Sequence, residues 1–382
     1  MSSRMRVLST PAALLVALAF AGPASAQVTL VSTVQEANTF TPRWSPDGKR
    51  LAYEYHNPGK DHRGVDILVM DGLTVKETIH VEPDTALEGF GSKKNPPVKD
   101  LTWHPKGRGF IYASTGGRHM FNIYMDGEGN LTGGEAYGGG NKIQPTFSFD
   151  GGLLAFAKEE SDGGDIFLVD IYNLEKGPRK MTETESDTSY QPRFSPDGKS
   201  LLFTRMIEKL SSNDLFIITD LEKPKESTKK LTTWKGDELN ASFSPDGKLV
   251  ALFSNQAQKD PKKFDLWVVK PDGTDQKLLV SDVVKPDRSN PVWTPDSTRL
   301  LLVKVDEKTS DAITWVKVDE PKTTGAVKTN TLLNNDLDLF VLEGGKEGLL
   351  AFTAQGQVGD KKTRWKQVYV AKVKLDDFSL IK

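Results

Sequence analysis

Five aspartates stand in one repeated setting along the chain: Asp47, Asp150, Asp197, Asp246 and Asp296. Paired carboxylates can run acid–base or glycosidic chemistry, but only when two of them meet within ~5 to 10 Å. Residues that occur once per structural repeat are spread out by the fold, so these read as turn residues. The same holds for Asp66, Asp165, Asp214 and Asp265, each of which opens an apolar run. Repetition marks structure, and chemistry is to be sought in what differs between copies.

Five histidines, His56, His62, His80, His104 and His119, all fall in the first third of the chain. His56 and His119 follow equivalent strands and are the candidate metal pair, with Asp61 or Glu160 as helpers, although a metal site needs several ligands converging on one point. No cofactor is expected. His104 replaces a serine of the repeat and reads as a turn residue. The chain has no cysteine and no Gly-x-Ser-x-Gly elbow, so nucleophilic catalysis has no support. The run from Gly133 to Gly140 follows no strand-to-helix step, and reads as an inter-blade loop rather than a phosphate cradle.

The elements that must carry these residues are written in the repeats. Phe40 to Gly48 (FTPRWSPDG), Tyr190 to Gly198 (YQPRFSPDG) and Leu239 to Gly247 (LNASFSPDG) are copies of one unit. Weaker copies run over Leu101 to Gly107, Gln144 to Gly151 and Asn290 to Asp296, and a degenerate seventh over Leu339 to Phe352. In Pro-Asp-Gly, proline presets φ, aspartate caps its own backbone and glycine accepts positive φ, giving a tight hairpin turn. The strand after the turn is apolar at both parities, as in Leu201-Leu-Phe203 and Leu300-Leu-Leu-Val303, so it must be buried on both faces. A third strand opened by a polar residue and a short polar fourth complete the unit. Four antiparallel strands in ~45 to 50 residues, repeated, predict an all-β β-propeller of four-stranded blades, seven by this count with six as the alternative. The last copy stops at its third strand, and Val28 to Val34 precedes the first copy without a blade of its own. This N-terminal strand is therefore expected to complete the last blade and close the ring, removing two open sheet edges.

Arg4 and Arg6 precede an apolar run from Ala12 to Ala21 that ends in Ala24-Ser25-Ala26, the pattern of a cleaved signal peptide over residues 1–26. That run is too short to span a bilayer, and no other segment serves as a transmembrane anchor. The propeller then occupies residues 27–382. Losing the two leader arginines moves the formal charge from −2 to about −4. With no basic tract interleaved with aromatics, nucleic acid is not an expected partner.

The repeated aromatic-Ser-Pro-Asp-Gly-Lys followed by an apolar strand resembles the TolB-like β-propeller repeat family, over nearly the whole exported chain. The resemblance implies a periplasmic propeller, with the cell surface as a second destination. The α/β domain that precedes the propeller in TolB has no counterpart in the dozen residues before the first repeat. The residues ahead of the first strands form the candidate binding rim of the funnel: Asn38, Thr39, Lys99, Asp100, Asn141, Gln144, Tyr190, Gln191, Glu238, Asn240, Arg288, Asn290, Asn335 and Asp336. Together they imply a non-enzymatic scaffold, a monomeric ring that docks an outer-membrane or peptidoglycan-associated envelope protein. The alternative is a metal-dependent polysaccharide lyase of the oligogalacturonate type, or a sugar-binding propeller.

Overall fold

A computed structural model describes residues 7–11, 28–32, 34, 36–59, 62–81, 98–114, 119–125, 131–136, 141–160, 163–285, 289–305, 311–358, 361–362 and 365–381. Strands dominate, with one α-helix of four residues, Pro224–Ser227, and two three-residue 3-10 helices, Leu174–Lys176 and Glu208–Leu210, among the described residues. No helix of these residues is long and apolar enough to cross a membrane.

Each sequence repeat is a meander of antiparallel strands. The units span residues 38–81, 98–136, 141–180, 188–230, 238–283, 292–326 and 332–374, and are numbered 1 to 7 in that order. Unit 4 is representative: Thr188–Phe194, Leu201–Ile207, Ser212–Ile218 and Thr228–Lys230 pair each with the next. The sheets of units 3 and 4 are linked by one strand bridge, Gly164 to Thr188, and those of units 5 and 6 by Val283 to Lys304.

The turn that opens each hairpin is held by the serine as much as by Pro-Asp-Gly. Ser195 Oγ donates to Asp197 Oδ1 at 2.6 Å and accepts the Ser200 N–H at 2.9 Å, while Gly198 takes φ 71°. The same net recurs at Ser45, Ser148, Ser244 and, with threonine in place of serine, at Thr294. The hydroxyl bond keeps the Asp197 and Asp246 carboxyls below the usual range.

Second strands are buried on both faces: Leu201, Leu202 and Phe203 are wholly inaccessible, as are Leu300 and Leu301. Each apolar cluster joins two consecutive units, for example Ala155 and Ile166 of unit 3 with Leu201 and Phe203 of unit 4. A further cluster joins the ends of the chain, packing Trp44, Tyr53 and Leu68 of unit 1 on Leu349, Ala351 and Val370 of unit 7. Val28–Leu30 pairs antiparallel with Gln367–Lys374, Leu30 opposite Tyr369, as the sequence led us to expect.

Two segments depart from the sequence reading. Gly133–Ala136, the described part of the run expected as an inter-blade loop, belongs to the strand Leu131–Ala136 paired with His119–Met125, because strand pairing is made by the backbone, which glycine supplies like any other residue. Val7–Pro11, within residues 1–26, lies as a fifth strand against Thr74–Val81, with Leu8 opposite His80.

Candidate functional site

The first strand of six units is broken by a bulge at one equivalent place. Register slips between Phe40 and Arg43, Lys99 and Thr102, Ile143 and Thr146, Tyr190 and Arg193, and Leu239 and Ser242, and again around Asp336. At each slip a non-glycine residue takes positive φ: Thr41 46°, Asp100 61°, Gln144 54°, Gln191 55°, Asn240 53° and Asp336 45°. This conformation costs roughly 1 kcal/mol or more per residue, and bulges re-aim side chains where they occur.

Hydrogen bonds between units offset that cost. The Gln144 N–H donates to Asp100 Oδ2 (3.1 Å), Gln191 N–H to Gln144 Oε1 (2.8 Å) and Asn240 N–H to Gln191 Oε1 (3.0 Å). Asn240 Nδ2 donates to the Ser289 carbonyl (2.9 Å), Ser289 Oγ to Asp336 Oδ1 (3.1 Å) and Thr41 N–H to Asp336 Oδ2 (3.4 Å). In units 1, 3, 4 and 5 a side chain of the neighbouring unit thus accepts from the N–H of the bulged residue, and with the Asn240 and Ser289 links these bonds form a polar belt.

Beneath the belt lies a cavity of about 290 Å³, lined from all seven units. Its inner tier is set by the residue two places after each of the six positive-φ residues, Arg43, Thr102, Thr146, Arg193, Ser242 and Asp338, and by Val292 in unit 6, whose first strand carries no bulge. Arg193 is pushed down to about 10 by burial and by the charge of Arg43, with Asp100 opposing. Burial pushes Asp338 up, against the pull of Arg43 and the bond from Trp44 N–H at 2.7 Å. Thr41 Oγ1, Asn240 Oδ1 and Asn290 Oδ1, on the same lining, are buried without a hydrogen-bond partner.

Of the rim residues read from sequence, Asp100, Gln144, Gln191, Asn240 and Asn290 line this cavity, and Asp336 belongs to the belt above it. The others sit outside it. Thr39 is buried and Asn38 half-buried, and both bond Lys366. Lys99 is half-buried, Asn141 donates to the Glu159 carboxylate, and Asn335 Oδ1 caps the Asp336 N–H. Tyr190 donates to Asn213 Oδ1 at 2.6 Å, its hydroxyl held above the usual range by burial. Glu238 is fully buried, accepts the Leu215 N–H at 2.8 Å and a bond from Thr232, and is pushed up to about 7 by desolvation. Arg288 lies outside the described residues.

His56 is half-buried in the second strand of unit 1, its Cα opposite Asn38 and Arg63. The backbone of His119 pairs with Ser114. Its side chain, with Asp61 and the side chains of His62 and Glu160, lies outside what the structure describes. Among the described residues no three His, Asp or Glu converge as a metal site. His104 is a turn residue that also ties two units together. Its Nδ1 accepts the Lys106 N–H, and its ring packs on Phe147 and reaches the Gly151 carbonyl of unit 3. The sequence reading missed Arg43, Arg193 and Asp338. For the two arginines the available signal was the position just before the aromatic of the aromatic-Ser-Pro-Asp-Gly unit, where residue type changes from copy to copy; Asp338 stands in the degenerate seventh copy, before Leu339, without that mark.

The model of the TolB beta propeller domain matches residues 138–335, just over half of the chain. The chain belongs to this family. Curated sequences add a local match: the TolB-type propeller is 30% identical over 109 residues to Protein ANTHESIS POMOTING FACTOR 1 of Arabidopsis thaliana, 28% of this chain and 31% of that protein's length. Among solved structures the propeller is similar to an oligogalacturonate lyase of Vibrio parahaemolyticus, at 11% identity and TM-score 0.60, covering 98% of this chain and all of that one. An oligogalacturonate lyase in complex with manganese matches at 13% identity and TM-score 0.59, covering 98% of each chain. At such identities the likeness is one of fold alone.

Proposed function

We propose that the protein is a non-enzymatic docking module of the bacterial envelope, exported by the leader over residues 1–26 to the periplasm, whose units close into a seven-bladed ring. The observation that carries the reading is the cavity, to which all seven units contribute and whose lining mixes both charges with amides and hydroxyls. A repeat propeller presents such a face to a protein partner through many shallow contacts. The end-to-end packing of units 1 and 7, with Val28–Leu30 on the last sheet, supports closure.

The test is a pull-down of tagged protein from its own envelope under mild crosslinking, with and without chelation, read by mass spectrometry. An outer-membrane or peptidoglycan-associated protein recovered in both arms, and lost on Lys99→Glu with Asn141→Arg, supports docking on this face. Recovery of nothing, together with stoichiometric metal in the purified protein, overturns it in favour of the polysaccharide-lyase alternative.

A further inference from the structure

Arg43 and Arg193 are sequence-equivalent residues 150 positions apart that enter one cavity in one pose. Each follows a proline, and each turns Nη1 back onto its own prolyl carbonyl at 2.8 Å. This internal bond fixes the plane of the guanidinium and leaves the remaining N–H donors aimed away from the strand. Arg43 spends one of them on Ser289 Oγ at 3.2 Å. Arg193 has only its prolyl bond among the described residues, and neither guanidinium forms a salt bridge with a described carboxylate, although Asp100 and Asp338 of the same lining act on them through space. A buried cation without a hydrogen-bonded ion partner is costly, and proteins as a rule pair such groups directly or give them a ligand.

The other positions of the tier suit the same guest. Thr102 and Thr146 bring hydroxyls to the same lining, while Ser242 Oγ donates to the Pro291 carbonyl at 3.3 Å. Of the two acids on the lining, Asp338 is engaged by the Trp44 N–H and Asp100 by the Gln144 N–H. The volume, about 290 Å³, is at the lower end for a small-molecule pocket and ample for a compact anion. Arginine is the side chain that grips planar or tetrahedral oxyanions through paired donors.

We propose that this cavity binds a compact oxyanion, a phosphate or a carboxylate, held between Arg43 and Arg193 with the tier hydroxyls completing its shell. The site does not depend on the docking reading, because it is tested on purified protein without a partner. The oxyanion is either free in solution or the carboxylate of a larger molecule that reaches into the cavity.

Inorganic phosphate and malonate are titrated into the full exported chain at constant ionic strength against chloride, by calorimetry and by thermal unfolding. Saturable 1:1 binding is expected, with Tm rising by several degrees over the chloride reference. Binding of phosphate alone indicates a free inorganic anion, and binding of malonate, with or without phosphate, a carboxylate guest. Arg193→Gln and Arg43→Gln should each weaken binding at least tenfold. In chloride, Arg193→Gln should unfold no earlier than the parent, since it removes a buried charge that has no salt-bridge partner; a merely structural arginine would lower Tm. Should the glutamine variants fail to fold, Thr146→Glu supplies a tethered carboxylate beside the arginines, and is expected to raise Tm in chloride and abolish the phosphate or malonate response. Equal behaviour of chloride and both probes, or unchanged binding in Arg193→Gln or Thr146→Glu, overturns the proposal.

Discussion

The outer turns and the inner tier of this propeller are built from the same repeat and treat it in opposite ways. At the turns, Ser45, Ser148, Ser195, Ser244 and Thr294 make one hydrogen-bond net with their aspartates five times over. At the tier, a few residues upstream in the same copies, the chain places Arg, Thr, Thr, Arg, Ser, Val and Asp. Turn residues answer to a local need that is the same in every hairpin. Tier residues face a shared interior, where identical side chains would only repel or crowd one another. Uniformity therefore marks what folds each unit, and variety marks what the units do together.

The largest expected effect tests whether the turn positions are uniform in cost as well as in type. Gly48 and Gly198 occupy the same turn position at φ 65° and 71°, but a Cβ on Gly48 would lie 2.2 Å from the Phe340 ring of unit 7, whereas Gly198 has open space. Gly48→Ala should cost about 3 kcal/mol or more and Gly198→Ala about 1 kcal/mol, measured by urea unfolding. Equal costs would mean that unit 1 does not seat on unit 7 as described.

Glu238 gives the next effect. Its folded-state value of about 7 stands above the ordinary 4.5, so the folded chain holds the extra proton and stability falls as pH rises from about 4.5 through 7. Glu238→Gln removes that loss and should stabilise the protein at pH 8 by on the order of 2 kcal/mol, with little gain at pH 4. A parallel shift of both unfolding curves at all pH values would break the assignment.

Smaller again, Ser195→Ala unmakes the bonds to Asp197 and the Ser200 N–H and should cost about 1–2 kcal/mol by denaturant midpoint. Thr146→Ala, in the tier, should change stability by no more than about 0.5 kcal/mol. If it cost as much as Ser195→Ala, the distinction between folding positions and shared-interior positions would collapse at that site.

Much of this could be read from residues alone. Glycine, proline and short polar side chains set local φ and local hydrogen bonds, so the turns and the hairpins they open are visible in a string of letters. Strands apolar at both parities state their own double burial, and the spare strand at Val28–Leu30 was matched to the last sheet by counting what each end lacked. The bulges were not visible, because Thr41, Gln144 and Gln191 are ordinary strand residues with no intrinsic taste for positive φ; hydrogen bonds from neighbouring units hold them there. Gly133–Ala136 misled for the opposite reason, since backbone pairing at a sheet edge overrode a loop-like composition.

The sequence by itself determined the repeat, its turns, its buried strands and the all-β class, because each follows from interactions between residues close along the chain. Only the tertiary structure decided that the rim amides form a belt, that Glu238 is buried, and that Arg43 and Arg193 share one cavity. Those depend on where separate units come to rest against each other. Arginines 150 residues apart carry no mark of their meeting until packing brings them together.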